Sequence, residues 1–520
     1  MTGSETAEGS WSARLPLVSM ASVLLGFAAL QLAAFLNAGV FEYPLDDVYI
    51  HLAVAEQIAA GGYGVNPGEN ASAASSLLYP LLLAMAPGSE VQRVLPLLWN
   101  LLALAASGWI WGRILVQAGY ESWPRWVGLL LAGAVPLLLN MAGIAFTGME
   151  QSLHVAASLA VILGMLVLLD EDRVTPLLLL GIVLGPAFRF EAMGVSLLGA
   201  ALLVLRGRYA LGLLFGLLAL AVAGLFMGLL VALGMDPLPY SVQAKMGTIG
   251  DLGLRDRILV NFIVNFKFTA AWALLAALVI APLMFLLVPG MVRSPRRLLL
   301  YAVMLALMAH LLVGKVGWMN RYESYILLSA MAGLLALAAQ GGRGALLGAL
   351  LPAAIVASSY VPDHVLRYPF ATRTIDRQQA QMARFAKQVH AGPVAVNDLG
   401  WVSWGNPNYV LDLWGLGSKD AQDYRMNGGL EDWTDKLAGV HSVDLAMIYD
   451  DWLADHIGAD WVRLGQLELT GSHYFAARPE VAFYATGPEA VPALRDELAL
   501  WAEDLPEGAS FTFSPEGPTE

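Results

Sequence analysis

The 520-residue chain contains no cysteine, which excludes a disulfide framework, a thiolate nucleophile and any Cys-ligated metal. Charge is scarce too. Only 14% of the residues are Asp, Glu, Lys or Arg, against about 25% in soluble domains. There is no basic excess: the formal net charge is −13, which argues against nucleic acid and anionic lipid headgroups as partners, since both favour Lys and Arg. Also missing are an internal repeat, a phosphate-cradling or dinucleotide-binding glycine loop, and a run of residues at metal-ligand spacing.

What the chain has instead is apolar surface, 58% of its residues, far more than one soluble core needs. A membrane is the solvent such a chain fits. About 20 apolar residues span a bilayer as a helix, and segments of that kind fall near 15–39, 91–117, 125–146, 148–169, 174–189, 191–206, 209–234, 266–289, 296–316, 321–340 and 343–361. The run from Leu15 is longer than a signal-peptide core and reads as a retained first helix, with a cleaved signal as the alternative. Residues 76–87, broken by Pro80 and Pro87, are too short to cross and are placed flat in the interface.

Up to Val361 there are 18 acidic and 18 basic residues, whereas the remainder carries 24 acidic against 11 basic. This shift predicts a boundary between a transmembrane domain, 1–361, and a soluble α/β domain, 362–520. The fold class expected is an α-helical polytopic membrane protein of about eleven transmembrane helices with that domain outside. The short connectors holding Arg206 and Arg208, Arg293, Arg296 and Arg297, and Arg343 are basic and so are assigned to the cytoplasm. Loop 40–90, loop 235–262, the corner near Trp318 and the acidic tail then face the other side of the inner (plasma) membrane.

Ionisable residues in the apolar region are costly and are expected to be paired, solvated or functional. Asp46, Asp47, Glu150, Arg189, Glu191, Asp236, Lys245, Lys315, Arg321 and Glu323 all fall at the outer ends in this topology. In FEYPLDDVYIH, the pair Asp46 and Asp47 follows Pro44 at a helix start that either can cap. Val48, Leu52, Ala55 and Ile58 or Ala59 form an apolar stripe ending at Gly61 and Gly62, as for a helix lying on the membrane surface. Adjacent carboxylates raise each other's proton affinity, which suits a general base for a sugar hydroxyl; plain capping is the structural alternative. His51, four residues from Asp47, either pairs with it or packs at the interface. Arg189, Lys245, Lys315 and Arg321 are candidate phosphate ligands, or ion-pair partners for Glu191, Asp236 and Glu323.

DDVYI, GYGVNPGE and SSLLYPLLLA together resemble the first outer loop of the GT-C membrane glycosyltransferases, closest to the branch resembling mycobacterial terminal arabinofuranosyltransferases. TGMEQSL, RFEA, PLPYSVQAK and WMNRYESY follow in the same order. The branch's Arg-Pro-Glu reads Arg189-Phe190-Glu191 here, and its Ser-Pro reads Ser75-Ser76. In the tail, Asp398, Gly400, Asp412, Gly415 and Leu416 resemble its Asp-x-Gly and Asp-Leu-x-Gly-Leu segment. The resemblance implies an inverting transferase that moves a sugar from a polyprenyl-phosphate donor to an envelope glycan, lipid or protein acceptor outside the membrane. Asp46 or Asp47 is then the base and Arg189, Lys245, Lys315 and Arg321 hold the donor phosphate, supported by Tyr49, His51, Asn66, Glu150, Glu191, Trp318 and Tyr322. Some members of the superfamily bind a divalent cation at this loop; one Asp pair supplies too few ligands to assert one. The rival readings are a polytopic transporter and another lipid-linked-saccharide enzyme, a polymerase or ligase.

In the tail, TRTIDRQQAQMARFAKQVH reads as helix, PVAVNDLG as a short apolar run and NYVLDLWGL as strand. HYFAARPEVAFYAT reads as one or two strands around Pro479, AVPALRDELALWAE as helix, and the last residues as frayed. Trp401, Trp404 and Trp414 are rings of the kind that stack on sugars, or core anchors.

Overall fold

The computed structural model describes residues 13–515 apart from 241–242, 244–252, 428–431 and 454–455. The described residues are mostly helical, with their sheet in the C-terminal region. Among the described residues, six helices are long and apolar enough to cross a membrane: Arg14–Ala38, Glu90–Ala118, Gln151–Glu171, Tyr209–Ala232, Thr269–Leu287 and one beginning at Gly342. Shorter apolar helices fill the remaining runs at Arg125–Leu138, Pro176–Phe188, Phe190–Leu205, Arg297–Val313 and Ser324–Ala338. Two compact units emerge from the contacts: Met1–Leu32, Leu97–Phe226 and Ile249–Arg367 form the first, and Ala33–Pro96, Met227–Thr248 and Tyr368–Glu520 the second.

In the first unit, Gln151–Glu171 is the central helix, and nearly all of its side chains are buried. Small residues let neighbours approach it closely. A Cβ at Gly181 would stand 2.7 Å from the Ala157 carbonyl oxygen, and one at Gly164 2.8 Å from the Leu178 Cα. Helix Tyr209–Ala232 is the opposite case, with Leu213, Leu217 and Leu225 exposed along it. Polar side chains gather at the two ends of the central helix. At its C-terminal end Arg296 grips Asp170 through two bonds of 2.8 Å, and Arg206 and Arg208 both reach Asp172 at 3.1 Å. At its N-terminal end, about 30 Å away by helical rise, lie Glu150 and the groups described below.

The second unit holds one six-stranded sheet built from β1 (Val394–Val396), β2 (Val410–Asp412), β3 (Leu445–Ile448), β4 (Val462–Leu469), β5 (Glu480–Ala485) and β6 (Ala509–Phe513). Its order is β2-β1-β3-β5-β4-β6. The β2-β1-β3 half is parallel, and the rest is antiparallel. Trp433, Leu437, Ile448 and Tyr484 are among the apolar side chains that pack together on it. Residues from the 40–90 loop contribute helices Asp47–Ala59 and Leu78–Leu83 to this unit.

Several expectations need correction. The 125–146 run is not one helix: a π-turn occupies Leu130–Ala134, and Asn140 at φ 62° interrupts the backbone before Met141–Phe146. The 235–262 loop contains helix Leu254–Asn265, whose charged first turn hides it from a hydropathy reading. The strand expected around Pro479 is present as β5, starting at the residue after the proline. Strand β4 was not read from the sequence: the apolar-polar alternation of VRLGQLEL slips by one residue at Gly465, where its register against β5 shifts, and the chain end read as frayed supplies edge strand β6. Helix Asp47–Ala59 does not carry one apolar stripe, because every residue from Val48 to Ala55 is buried.

Candidate functional site

The second unit contains the acidic pair. Asp46 occupies the position before helix Asp47–Ala59 but does not cap it; its carboxylate makes no bond to that helix's N–H groups. Instead it is bound by backbone amides more than 350 residues away in sequence: Gly400 N donates to Oδ2 at 2.6 Å and Trp401 N to Oδ1 at 2.8 Å. Asp46 is buried and Asp47 only half-buried. The Asp398 carboxyl hydrogen-bonds Asp46, and its Oδ2 also accepts Gln379 Nε2 at 2.9 Å and Tyr449 OH at 3.0 Å. Two carboxyls bond each other only if one keeps a proton. Burial, then the Asp398 charge, pushes Asp46 well above the usual carboxylate range; burial also raises Asp398.

Flanking residues fix this arrangement. Tyr49 is fully buried, donates its hydroxyl to Glu42 Oε1 and stacks on the Trp401 ring with centroids 4.4 Å apart. Glu42 also accepts Tyr43 N at 2.7 Å, Trp401 Nε1 at 3.0 Å and Arg93 Nη2 at 3.2 Å. Trp404 is buried and donates to Gln92 at 2.9 Å, so Trp401 and Trp404 serve as anchors. Trp414 lies against Trp452, with the Arg425 guanidinium 4.0 Å from its ring centroid. His51 is buried edge-on to Tyr79. Asn66 is a structural residue: its amide exchanges two 2.9 Å bonds with Val410, doing for edge strand β2 what a neighbouring strand would.

A second polar cluster lies in the first unit. Arg189 holds Glu150 at 2.6 Å and Glu191 at 2.6 and 3.2 Å. Arg189 and Arg321 both lie over the Tyr322 ring, 5.7 and 5.3 Å from its centroid. Residues 317–320 form a left-handed turn, with φ 105° at Gly317, 47° at Trp318, 58° at Met319 and 60° at Asn320. Glu323 pins this turn, accepting Gly317 N at 2.9 Å and Tyr360 OH at 2.6 Å. Trp318 is exposed and Lys315 half-buried. Lys245 lies outside the described residues.

Sequence reading missed Glu42, Arg93, Gln379, Tyr449 and the role of Trp401. It also missed a buried His154–Tyr325–His310 group, in which the His154 ring stacks on Tyr325 at 4.1 Å and His310 Nδ1 meets its hydroxyl at 3.1 Å. Asp398 was noticed only as part of a motif. Among the described residues, no group of three or more His, Asp or Glu could hold a metal ion.

Residues 373–484 match a family described as Domain of unknown function (DUF8728). No curated protein and no solved structure matches the chain.

Proposed function

We propose that the chain is a polytopic membrane glycosyltransferase of GT-C type, with about eleven crossings and its acidic loop and C-terminal domain on the extracytoplasmic side. It moves a sugar from a polyprenyl-phosphate donor to an envelope glycan, lipid or protein acceptor. The observation that carries the reading is the asymmetry of the Asp pair: one carboxylate is buried and pinned by two amides, while its neighbour is left partly open to solvent. That is how a base is held in place by its own flank.

In this mechanism Asp47 takes the acceptor hydroxyl proton as the hydroxyl oxygen bonds to the anomeric carbon. The bond from that carbon to the phosphate oxygen breaks, and the electron pair leaves with the lipid phosphate, so the anomeric centre inverts. A phosphate monoester is a good leaving group, so cations suffice to offset its charge. Arg321, Lys315 and Lys245 are assigned that role. Arg189, already engaged by two carboxylates, is better suited to holding the Tyr322 corner in shape.

The test is direct. The full chain in lipid nanodiscs, given farnesyl-phosphate-linked arabinofuranose, mannose and glucose with an envelope glycan extract, should release farnesyl phosphate and label the extract from at least one donor. Release from none of them would overturn the reading. The buried Arg189–Glu150 ion pair favours a second reading, a secondary transporter, because ionic groups within helical bundles also mark transport paths. Alternating access of a thiol probe to Asp46→Cys and Arg321→Cys from the two membrane faces would support that reading instead.

A further inference from the structure

We propose that residues 398–401 of the C-terminal region are a positioning element of the transfer site, with Trp401 as its chief positioning residue, on the reading of Asp47 as the base. Three separate ties converge on the Asp pair from this loop and the first turn of the short helix, Gly400–Ser403, into which it runs. The amides of Gly400 and Trp401 take one oxygen each of the Asp46 carboxylate, so that carboxylate cannot rotate about its own axis. The Trp401 ring covers Tyr49, two residues beyond Asp47. Its indole N–H donates to Glu42, four residues before Asp46. The loop therefore grips the chain on both sides of Asp47 and on the residue next to it.

Residue types in the loop follow from these contacts. A Cβ at position 400 would collide with the carbonyl oxygen and carboxylate of Asp46, so only glycine lets the amide come this close. Position 401 needs a flat ring with an N–H at its edge; phenylalanine would keep the stack and lose the donor. The loop is itself held from behind. The Lys387 ammonium lies 4.7 Å from the Trp401 ring centroid and donates to the carbonyl oxygens of Trp401, at 2.7 Å, and Trp404. Glu42, the far anchor, is buried and has its charge met by Arg93.

The consequence is that a domain lying at the end of the chain sets the geometry of a base near its start. Because a base displaced by about 1 Å can lose on the order of a hundredfold in rate, loosening this grip should act on turnover and spare donor binding. Trp401→Phe should lower kcat about tenfold, as expected for one lost hydrogen bond to a charged acceptor, with KM for the farnesyl-phosphate-linked donor unchanged. Trp401→Ala should lower kcat on the order of a hundredfold. Glu42→Gln combined with Trp401→Phe should cost less than the product of the single effects, because both act on one contact.

Wild-type kcat in Trp401→Phe and Trp401→Ala, or a loss seen only in KM, overturns the positioning role. If Trp401→Ala does not fold, Trp401→Phe decides alone. Asp47→Asn run alongside separates the two levels. An active Asp47→Asn sinks the base assignment, whereas an inactive Asp47→Asn with an unimpaired Trp401→Phe sinks only the positioning role.

Discussion

Asp46 and Asp47 are chemically identical neighbours with different surroundings, and the difference makes separate predictions for each. Asp46→Ala would leave one buried and one partly buried amide unpaired, at about 1–3 kcal/mol for the buried one, so the thermal midpoint followed by tryptophan fluorescence should fall by several degrees. Asp47→Asn, at a half-buried position, should stay within about 0.5 kcal/mol of wild type. The Asp46–Asp398 pair also makes stability depend on pH. Both carboxyls are raised in the folded chain, so above about pH 4, where an unfolded Asp has lost its proton, the folded chain holds the extra proton. Raising the pH from there must therefore lower stability. Asp398→Asn should flatten that slope between pH 4.5 and 8; an unchanged slope would mean the pair does not share a proton. The sequence pointed to the Asp pair through its motif, but not to what Asp46 binds. Its partners are backbone N–H groups more than 350 residues away, and the one mark they leave in residue type, a glycine at 400, does not say which carboxylate it admits.

At the scale of elements, the apolar runs were legible because helices that bury or expose apolar surface on all sides need long hydrophobic stretches. The breaks were not. Asn140 ends a helix through a left-handed backbone that apolar neighbours conceal, and the alternating ASFTF of β6, which pairs with β4, is masked by the Pro, Gly and Glu on either side of it. Close helix packing supplies the test at this scale. Gly181→Val would drive a side chain into the Ala157 carbonyl and Val161, whereas Gly224 has open space around it. The thermal midpoint should therefore drop in Gly181→Val, by the 1–3 kcal/mol typical of overpacking, and hold or rise in Gly224→Ala. Equal effects would contradict the close approach.

For the whole molecule, the change of charge at Val361 marks where the chain leaves its apolar helices, but compactness divides it differently. Residues 33–96 and 227–248 group with the C-terminal region. The reason is visible in single contacts: Asn66 completes the edge of β2, Tyr49 covers Trp401, and Tyr240 N donates to Ser72 Oγ at 2.9 Å. No composition rule carries such pairings. The fragment 368–520 made alone should consequently be protease-sensitive and lack a cooperative melt, and a sharp melt with native-like circular dichroism would show that these contacts are dispensable.

The central claim is that the carboxylate of Asp47 acts as the base of a sugar transfer, held in place by Asp46. The most direct measurement is turnover of a farnesyl-phosphate-linked sugar by wild type, Asp47→Asn and Asp47→Glu at matched thermal stability. The account predicts loss of transfer on the order of a thousandfold in Asp47→Asn and partial recovery in Asp47→Glu. Transfer by Asp47→Asn at the wild-type rate would contradict it.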